Sequence, residues 1–535
     1  MGRMRRPVLV IAIISVAVCT VGAQRRATPR AQPAPRPQPA PAVDVAAVLK
    51  DAANALGMLR QANRIDAINT IELWGTGTSY ALGQQYHADD PWPAFKTEWH
   101  ATLSYAESAM RVDTIRNNPD GPVPIRGGGF FPLTAPQSLI TVVSGKYAWN
   151  ESEIGAGLVA GKGVATPALD TMQERQMFLW MLPYGAVKAA IAAGNKAIAI
   201  VEDGVTTVTF PLPGQLAGLT ARMTLDGKKR PLSVETNLDN PVLGDMVIET
   251  SFADYALLDE VQTDVYVPGH VVQKQGGFPL LDIKISKSDT NNPYEVFPLP
   301  DAISRAYAQP PASPKVDVTK VSDGVYFLGG ESHHSVAVEF RNYVALVECP
   351  LGDARANAVI AAVKRTIPRK PIRYVINTHH HFDHSGGLRA CVAEGATVLT
   401  QAENKPYYER VWSNPHTLAP DRLAKRPRKP VVEAIVTKRV LSDGRNSLEI
   451  YPMEGSNHDA SMLIAYAPKA KLLIEADAYT PGAANAPPPP PSKETLVLND
   501  NLTRLKLDVQ QIAPIHGRLV NVTEFRRALG GNSTR

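Results

Sequence analysis

Cysteine is scarce in this chain, with only Cys19, Cys349 and Cys391 among 535 residues. Cleavage of an N-terminal leader would remove Cys19 and leave at most one disulfide. A cysteine-stapled scaffold is therefore excluded, and Cys349 and Cys391 read most simply as small buried apolar groups. Acidic residues are absent before Asp44, whereas Arg3, Arg5, Arg6, Arg25, Arg26, Arg30 and Arg36 crowd that end. Setting those arginines aside brings the formal charge of +5 close to balance over the remaining chain. No basic stripe is left to suggest a nucleic-acid partner. The apolar run at residues 8–18 is too short to span a bilayer comfortably. There is no internal repeat. Hydrophobic residues at 44% and charged residues at 20% are ordinary for a globular protein, and the length suggests two or three domains.

The basic start, the short apolar run and the small residues Val21-Gly22-Ala23 together read as a secretory signal over residues 1–23. The expectation is an exported protein, periplasmic or secreted, with no stable membrane span after cleavage. Residues 24–42, "QRRATPRAQPAPRPQPAPA", are a Pro/Ala-rich spacer with little to bury. From residue 43 to about 310 comes a β-rich α+β domain. It starts with a helix in "VAAVLKDAANALG" and continues through strand runs at 68–86, 139–149, 197–212, 219–236, 244–255 and 276–286. Asp226-Gly227 signals a hairpin, and residues 167–194 read as helix broken at Pro183. The pattern predicts a curled antiparallel sheet covered by a few helices. The "GTG" at 75–77 reads as a turn, and the prolines of 298–314 read as a linker.

Beyond Val316 strands and helices alternate, which predicts an α/β layered domain over 316–535. Within it stands "THHHFDHSGG", residues 378–387, following the apolar strand "PIRYVIN". Loops leaving strands are where α/β folds collect functional groups. His379 and His381, two apart on extended backbone, point the same way and can hold one cation, while His380 and Phe382 face into packing. Three further residues at strand edges complete the expected set: His458 in "EGSNHDAS", Asp477 ending "KLLIEAD", and His516 ending "IAPIH". His379, His381 and His458 are expected to hold one metal, Asp383, His384 and His516 a second, with Asp477 between. Neutral imidazoles and carboxylates suit two zinc ions, with iron or manganese as alternatives.

His-x-His-x-Asp-His, then a lone His, an Asp at a strand end and a last His: this order resembles the metallo-β-lactamase superfamily. The resemblance covers about residues 318–535. It implies a four-layer αββα sandwich with metals at one edge between the sheets. It also implies a metal-dependent hydrolase in which an activated hydroxide attacks an ester, lactone, thioester or amide-type bond, with Asp383 catalytic. Alternatives are a β-lactam hydrolase and an iron-dependent sulfur oxygenase on the same ligands. In many zinc β-lactamases the bridging position is Cys or Ser, so Asp477 tilts the reading away from dedicated antibiotic resistance. Glu403, Asn404, Tyr407, Tyr408 and Asn457 lie near the ligand-bearing loops in sequence, where surface or packing roles outweigh substrate contact.

Residues 43–310 carry no comparable cluster. Their sheet pattern and "GFP" at 277–279 faintly resemble half-barrel lipoprotein-carrier folds. A third alternative is therefore a lipid- or polymer-binding carrier with an auxiliary metal domain. The expected partner is a small-molecule substrate. Nothing in the sequence speaks to oligomeric state.

Overall fold

A computed structural model describes residues 43–59, 68–122, 126–259, 264–292, 297–310, 313–484, 486–488 and 490–530. The expected signal segment and the Pro/Ala-rich spacer lie outside the described residues. The first helix, Val45–Ala55, begins where the Asp44 carboxylate accepts hydrogen bonds from the backbone N–H groups of Ala46 and Ala47. Its residues Leu49, Ala52 and Ala53, spaced three and four apart, are buried.

Thirteen strands form one sheet in the N-terminal part, every neighbouring pair antiparallel. Strand Thr70–Tyr80 lies in the middle. It pairs on one side with Ala94–Ser104 and on the other with Phe278–Thr290, the last strand of the sheet in sequence. One wing then steps forward through the chain to Ala165–Pro167, and the other steps back to Ile198–Glu202. Helices Met172–Met181 and Pro183–Ala193, separated at Leu182 as the proline predicts, pack on its apolar side. Met177, Phe178, Leu179, Met181 and Tyr184 share a core there with Leu73, Trp99, Leu103, Phe210 and Met223. The Asp226-Gly227 hairpin is present. The Asp226 carboxylate accepts from the Lys228 and Arg230 N–H groups at 2.8 Å and closes the turn.

Three sequence expectations are corrected here. The "GTG" segment is not a turn but lies within strand Thr70–Tyr80, at a bulge between Trp74 and Gly75. A Cβ at Gly77 would sit 2.0 Å from the Asp282 carbonyl, so glycine is required by close approach of the neighbouring strand. The 68–86 run ends as strand at Tyr80, and residues 81–88 leave the sheet, with Gly83 at φ +67°. Within the expected linker, Asp301–Ala308 is a helix. Ile303 is buried against Trp149 and Val142, and the Tyr307 hydroxyl accepts from the Ala148 N–H at 2.8 Å. Local helix propensity plus one apolar anchor outweighed the flanking prolines.

The C-terminal part has two sheets of seven and six strands. In the first, Asp317–Ser322, Val325–Gly329, Ser335–Glu339 and Val344–Val347 run as an antiparallel meander. Ile372–Ile376, Thr397–Gln401 and Val432–Ile435 then add in parallel, with helix Asp353–Thr366 crossing over before the first of them. The second sheet runs from Arg439–Ser442 to Val520–Asn521. Alternation along single strands sorts the core. Val344 and Leu346 face Val359, Ile360 and Val363 of the crossover helix. Ala345 and Val347 face Ile450, Leu463 and Ile474 of the second sheet. On that sheet's other face Ile464, Leu473 and Ile512 meet Leu498 and Leu502 of helix Lys493–Arg504, with Phe525. Each such buried Val, Leu or Ile contributes about 1.5–3 kcal/mol. Cys349 and Cys391 are free and buried, as expected.

Candidate metal centre

Strand Ile372–Ile376 is buried at its end and delivers the chain into the histidine turn. The turn is held from several sides. Thr378 N–H donates to Glu348 Oε1 at 2.7 Å, Leu463 N–H donates to Thr378 O at 2.7 Å, and the Tyr408 hydroxyl donates to Asn377 Oδ1 at 2.6 Å. His381 then precedes the short helix Phe382–Ser385, which carries Asp383 and His384. Asp477 follows strand Leu472–Glu475 in left-handed backbone at φ +60°, and His516 follows strand Gln511–Pro514.

All seven residues predicted from the sequence come together. His379 Nε2 and His381 Nδ1 face each other at 3.1 Å. One potential ligand atom from each of His379, His381 and His458 lies within 4.8 Å of the other two. Asp477 Oδ2 sits 2.8 Å from His384 Nε2, 3.2 Å from His379 Nε2 and 3.3 Å from His458 Nε2, while its Oδ1 sits 2.8 Å from His516 Nε2. Asp477 thus stands between the two sets. His384 Nε2 and His516 Nε2 are 3.1 Å apart. His380 turns away, as predicted, and bonds Asp459 at 2.7 Å.

The second set includes a residue that the sequence reading missed. His333, in the loop between strands Val325–Gly329 and Ser335–Glu339, places Nε2 3.2 Å from Asp383 Oδ2. Its ring centroid is 4.0 Å from that of His516. His333, Asp383, His384 and His516 form one group of mutually close ligand atoms. The paired "HH" before an apolar strand was its only signal.

Do these donors fit a cation? Asp477 Oδ2 is buried and crowded by three imidazole nitrogens, those of His384, His379 and His458, at 2.8–3.3 Å, a convergence of donors that suits a shared cation. The facing imidazole nitrogens are also supported from behind. His381 Nε2–H donates to the Gln85 carbonyl at 2.9 Å, leaving Nδ1 with its lone pair toward the cluster. His379 Nδ1 meets Thr378 Oγ1 at 3.0 Å, and His333 Nδ1 meets Ser332 Oγ at 2.8 Å. In each case Nε2 points inward. Glu348, buried at the back, stands 3.4 Å from His384 Nδ1. Nitrogen and carboxylate donors without thiolate suit zinc, iron or manganese.

The electrostatics divide the imidazoles: His379 and His381 are held neutral, whereas His384 keeps a proton that a cation would have to displace. Burial, then the charge on His384, pushes the His379 imidazole down to about 4, so it is neutral and ligand-ready at pH 7. Burial and the neighbouring His379 and His458 hold His381 well below its usual range. Burial opposes the charge on His384, yet the Asp477 and Asp383 carboxylates hold it well above that range. Burial would raise Asp383, but His384 and His333 keep it ionised.

Of the residues weighed as substrate contacts, Asn404, Tyr407 and Tyr408 are buried in packing, and Glu403 bonds His87. The Asn457 N–H donates to Glu494 Oε1 at 2.7 Å. Among the described residues, none of the five hydrogen-bonds to a member of the cluster.

A family model described as the metallo-beta-lactamase superfamily matches residues 328–510. Several solved structures are similar to part of this chain. A metallo-beta-lactamase from Pontibacter korlensis shares 19% identity over 40% of this chain and 98% of its own, with a TM-score of 0.31. One from Hirschia baltica shares 20% over 40% and 95%, with a TM-score of 0.31. The rubredoxin oxygen:oxidoreductase from Desulfovibrio gigas shares 16% over 40% and 60%, with a TM-score of 0.33. Comparison with curated proteins gives no match. Residues 328–510 of this chain form a domain of the metallo-beta-lactamase superfamily, whose members are metal-dependent hydrolases or oxidoreductases.

Proposed function

We propose that this chain is a dinuclear metallohydrolase acting on an ester, lactone, thioester or amide-type bond of a small molecule. The observation that carries the reading is Asp477, whose two carboxylate oxygens reach toward both donor sets at once. His379, His381 and His458 would hold one cation. Asp383, His384 and His516, with His333 beside them, would hold the other. When bound, a cation pair supplies a water nucleophile near neutral pH and a Lewis acid for the substrate's carbonyl oxygen. The chain's own contribution is to orient and to move protons. Asp383, kept ionised and about one-third exposed, would orient the attacking water and accept its proton. Glu348 and the Gln85 carbonyl fix the imidazoles in their inward-facing tautomers.

The three apolar clusters of the C-terminal part support a helix–sheet–sheet–helix layering, the αββα arrangement, over 316–535. The carrier alternative is disfavoured because the apolar side of the N-terminal sheet is already filled by its own helices. Export through residues 1–23 completes the proposal. A mature N-terminus near Gln24 outside the cytoplasm supports it, and an intact Met1 in the cytoplasm refutes it.

The deciding experiment uses metal-quantified full-length protein. It is tested on esters, lactones, thioesters, a chromogenic cephalosporin and phosphodiesters, with and without chelator. About two zinc ions and chelator-sensitive acyl cleavage are expected. One iron and no hydrolysis would favour the sulfur-oxygenase alternative and defeat the hydrolase reading.

A further inference from the structure

Two connections of the N-terminal sheet reach the metal centre. The first follows strand Thr70–Tyr80. Gln84 Nε2 donates to Asp383 Oδ1 at 2.9 Å, the Gln85 carbonyl accepts from His381, and the Tyr86 carbonyl accepts from Ala460 N–H at 2.9 Å. The second lies between strands Ala109–Asn117 and Gln137–Ser144. Gly127 N–H donates to the Asn457 carbonyl at 2.8 Å, and Gly128 N–H donates to the Gln84 carbonyl at 2.9 Å. Backbone here is pressed against the imidazoles. A Cβ at Gly128 would lie 2.8 Å from His381 Cε1 and 2.9 Å from His458 Cε1.

These connections abut His381 and His458 of the first donor set and reach Asp383 of the second through Gln84. The most exposed donors are Asp383 (35%) and His516 (23%). The same turn that touches His381 and His458 carries two phenylalanines. Phe131 is anchored, edge-to-face on Phe95 with centroids 5.6 Å apart. Phe130 is 83% exposed and held at φ +67°. Left-handed backbone on a bulky aromatic residue costs on the order of 1–3 kcal/mol, and such positions cluster at ligand clamps. Phe130 stands two residues after Gly128, whose backbone abuts His381 and His458, and its ring is left in solvent.

We propose that the N-terminal sheet domain supplies one wall of the hydrolytic site, with Gln84 as a positioning residue for Asp383 and Phe130 as the contact for an apolar group on the substrate. The proposal rests on the dinuclear hydrolase reading and narrows it to acyl compounds carrying an aryl or alkyl group. It gives the N-terminal part a role in substrate choice.

The test uses full-length, zinc-loaded protein and binding rather than turnover, with ethanethiol and 3-phenylpropanethiol as calorimetric probes. The expected result is at least about tenfold tighter binding of the phenylalkyl thiol by the unaltered protein, with Phe130→Ser bringing that ratio toward one. An unchanged ratio in Phe130→Ser, or no preference in the unaltered protein, overturns the apolar-contact part. Gln84→Leu is expected to weaken binding of the second zinc equivalent about tenfold, as losses behind a ligand do. Equal affinity for both equivalents, relative to the unaltered protein, overturns the positioning part. Folding of both variants is checked by thermal unfolding. Absence of bound metal in the unaltered protein would refute the hydrolase reading itself, a result distinct from either failure above.

Discussion

His333 Nε2 lies 3.2 Å from Asp383 Oδ2, on the side of the carboxylate away from the Gln84 amide, which bonds Oδ1. Asp383 is thereby gripped at both oxygens by residues outside the His-x-His-x-Asp-His turn. We expect His333→Ala to weaken the second metal equivalent by about 10- to 100-fold. Competition with a chromophoric chelator measures it, and full retention of both equivalents would show His333 to be a bystander.

Asp477 makes a different claim. Because it touches members of both donor sets, Asp477→Asn should lower metal content from two ions toward one and reduce turnover by about 100-fold. Elemental analysis alongside kinetics distinguishes loss of metal from loss of rate at constant metal.

Glu348 is fully buried and serves two groups, the Thr378 N–H and His384 Nδ1. Glu348→Gln keeps an acceptor for Thr378 while removing the charge behind His384. The expected outcome is a folded protein with about tenfold weaker metal binding. Glu348→Leu should instead lower Tm as well, because it leaves the buried Thr378 N–H without its partner.

Away from the metal centre, burial, aided by the carboxylates of Asp245 and Asp421, pushes the Asp239 carboxyl up to about 6. Its folded value lies above the unfolded one. The proton is therefore held more tightly in the fold, and the associated stability is present at low pH and lost as pH rises through about 6. Asp239→Asn should raise Tm at pH 7.5 by about 1–2 °C, the modest size reflecting partial exposure, with a smaller effect at pH 4.5. Calorimetry at the two pH values checks the sign.

The seven donors were legible because they lie in short connections that follow or precede apolar strands, where residue type and local pattern coincide. His333 escaped because its partners are 50 or more residues away, and nothing local marks which member of "HH" faces inward. Gln84 and Gly128 were harder still. An ordinary amide and a glycine acquire meaning only when the turn formed by strand pairing in one half lands on the histidines of the other. The N-terminal sheet was recognised as antiparallel from its runs. The union of its first strand with its last, Thr70–Tyr80 with Phe278–Thr290, left no mark in either segment. Helix Asp301–Ala308 was hidden because prolines flank it and a single residue, Ile303, anchors it.

The residues that surround the cluster span nearly the whole described chain, from Gln84 to His516. A copy of the chain truncated before His516 would lack one member of the second donor set. Metal count therefore reports whether segments more than four hundred residues apart have come together, and a copy truncated before His516 should be distinguishable by that count alone.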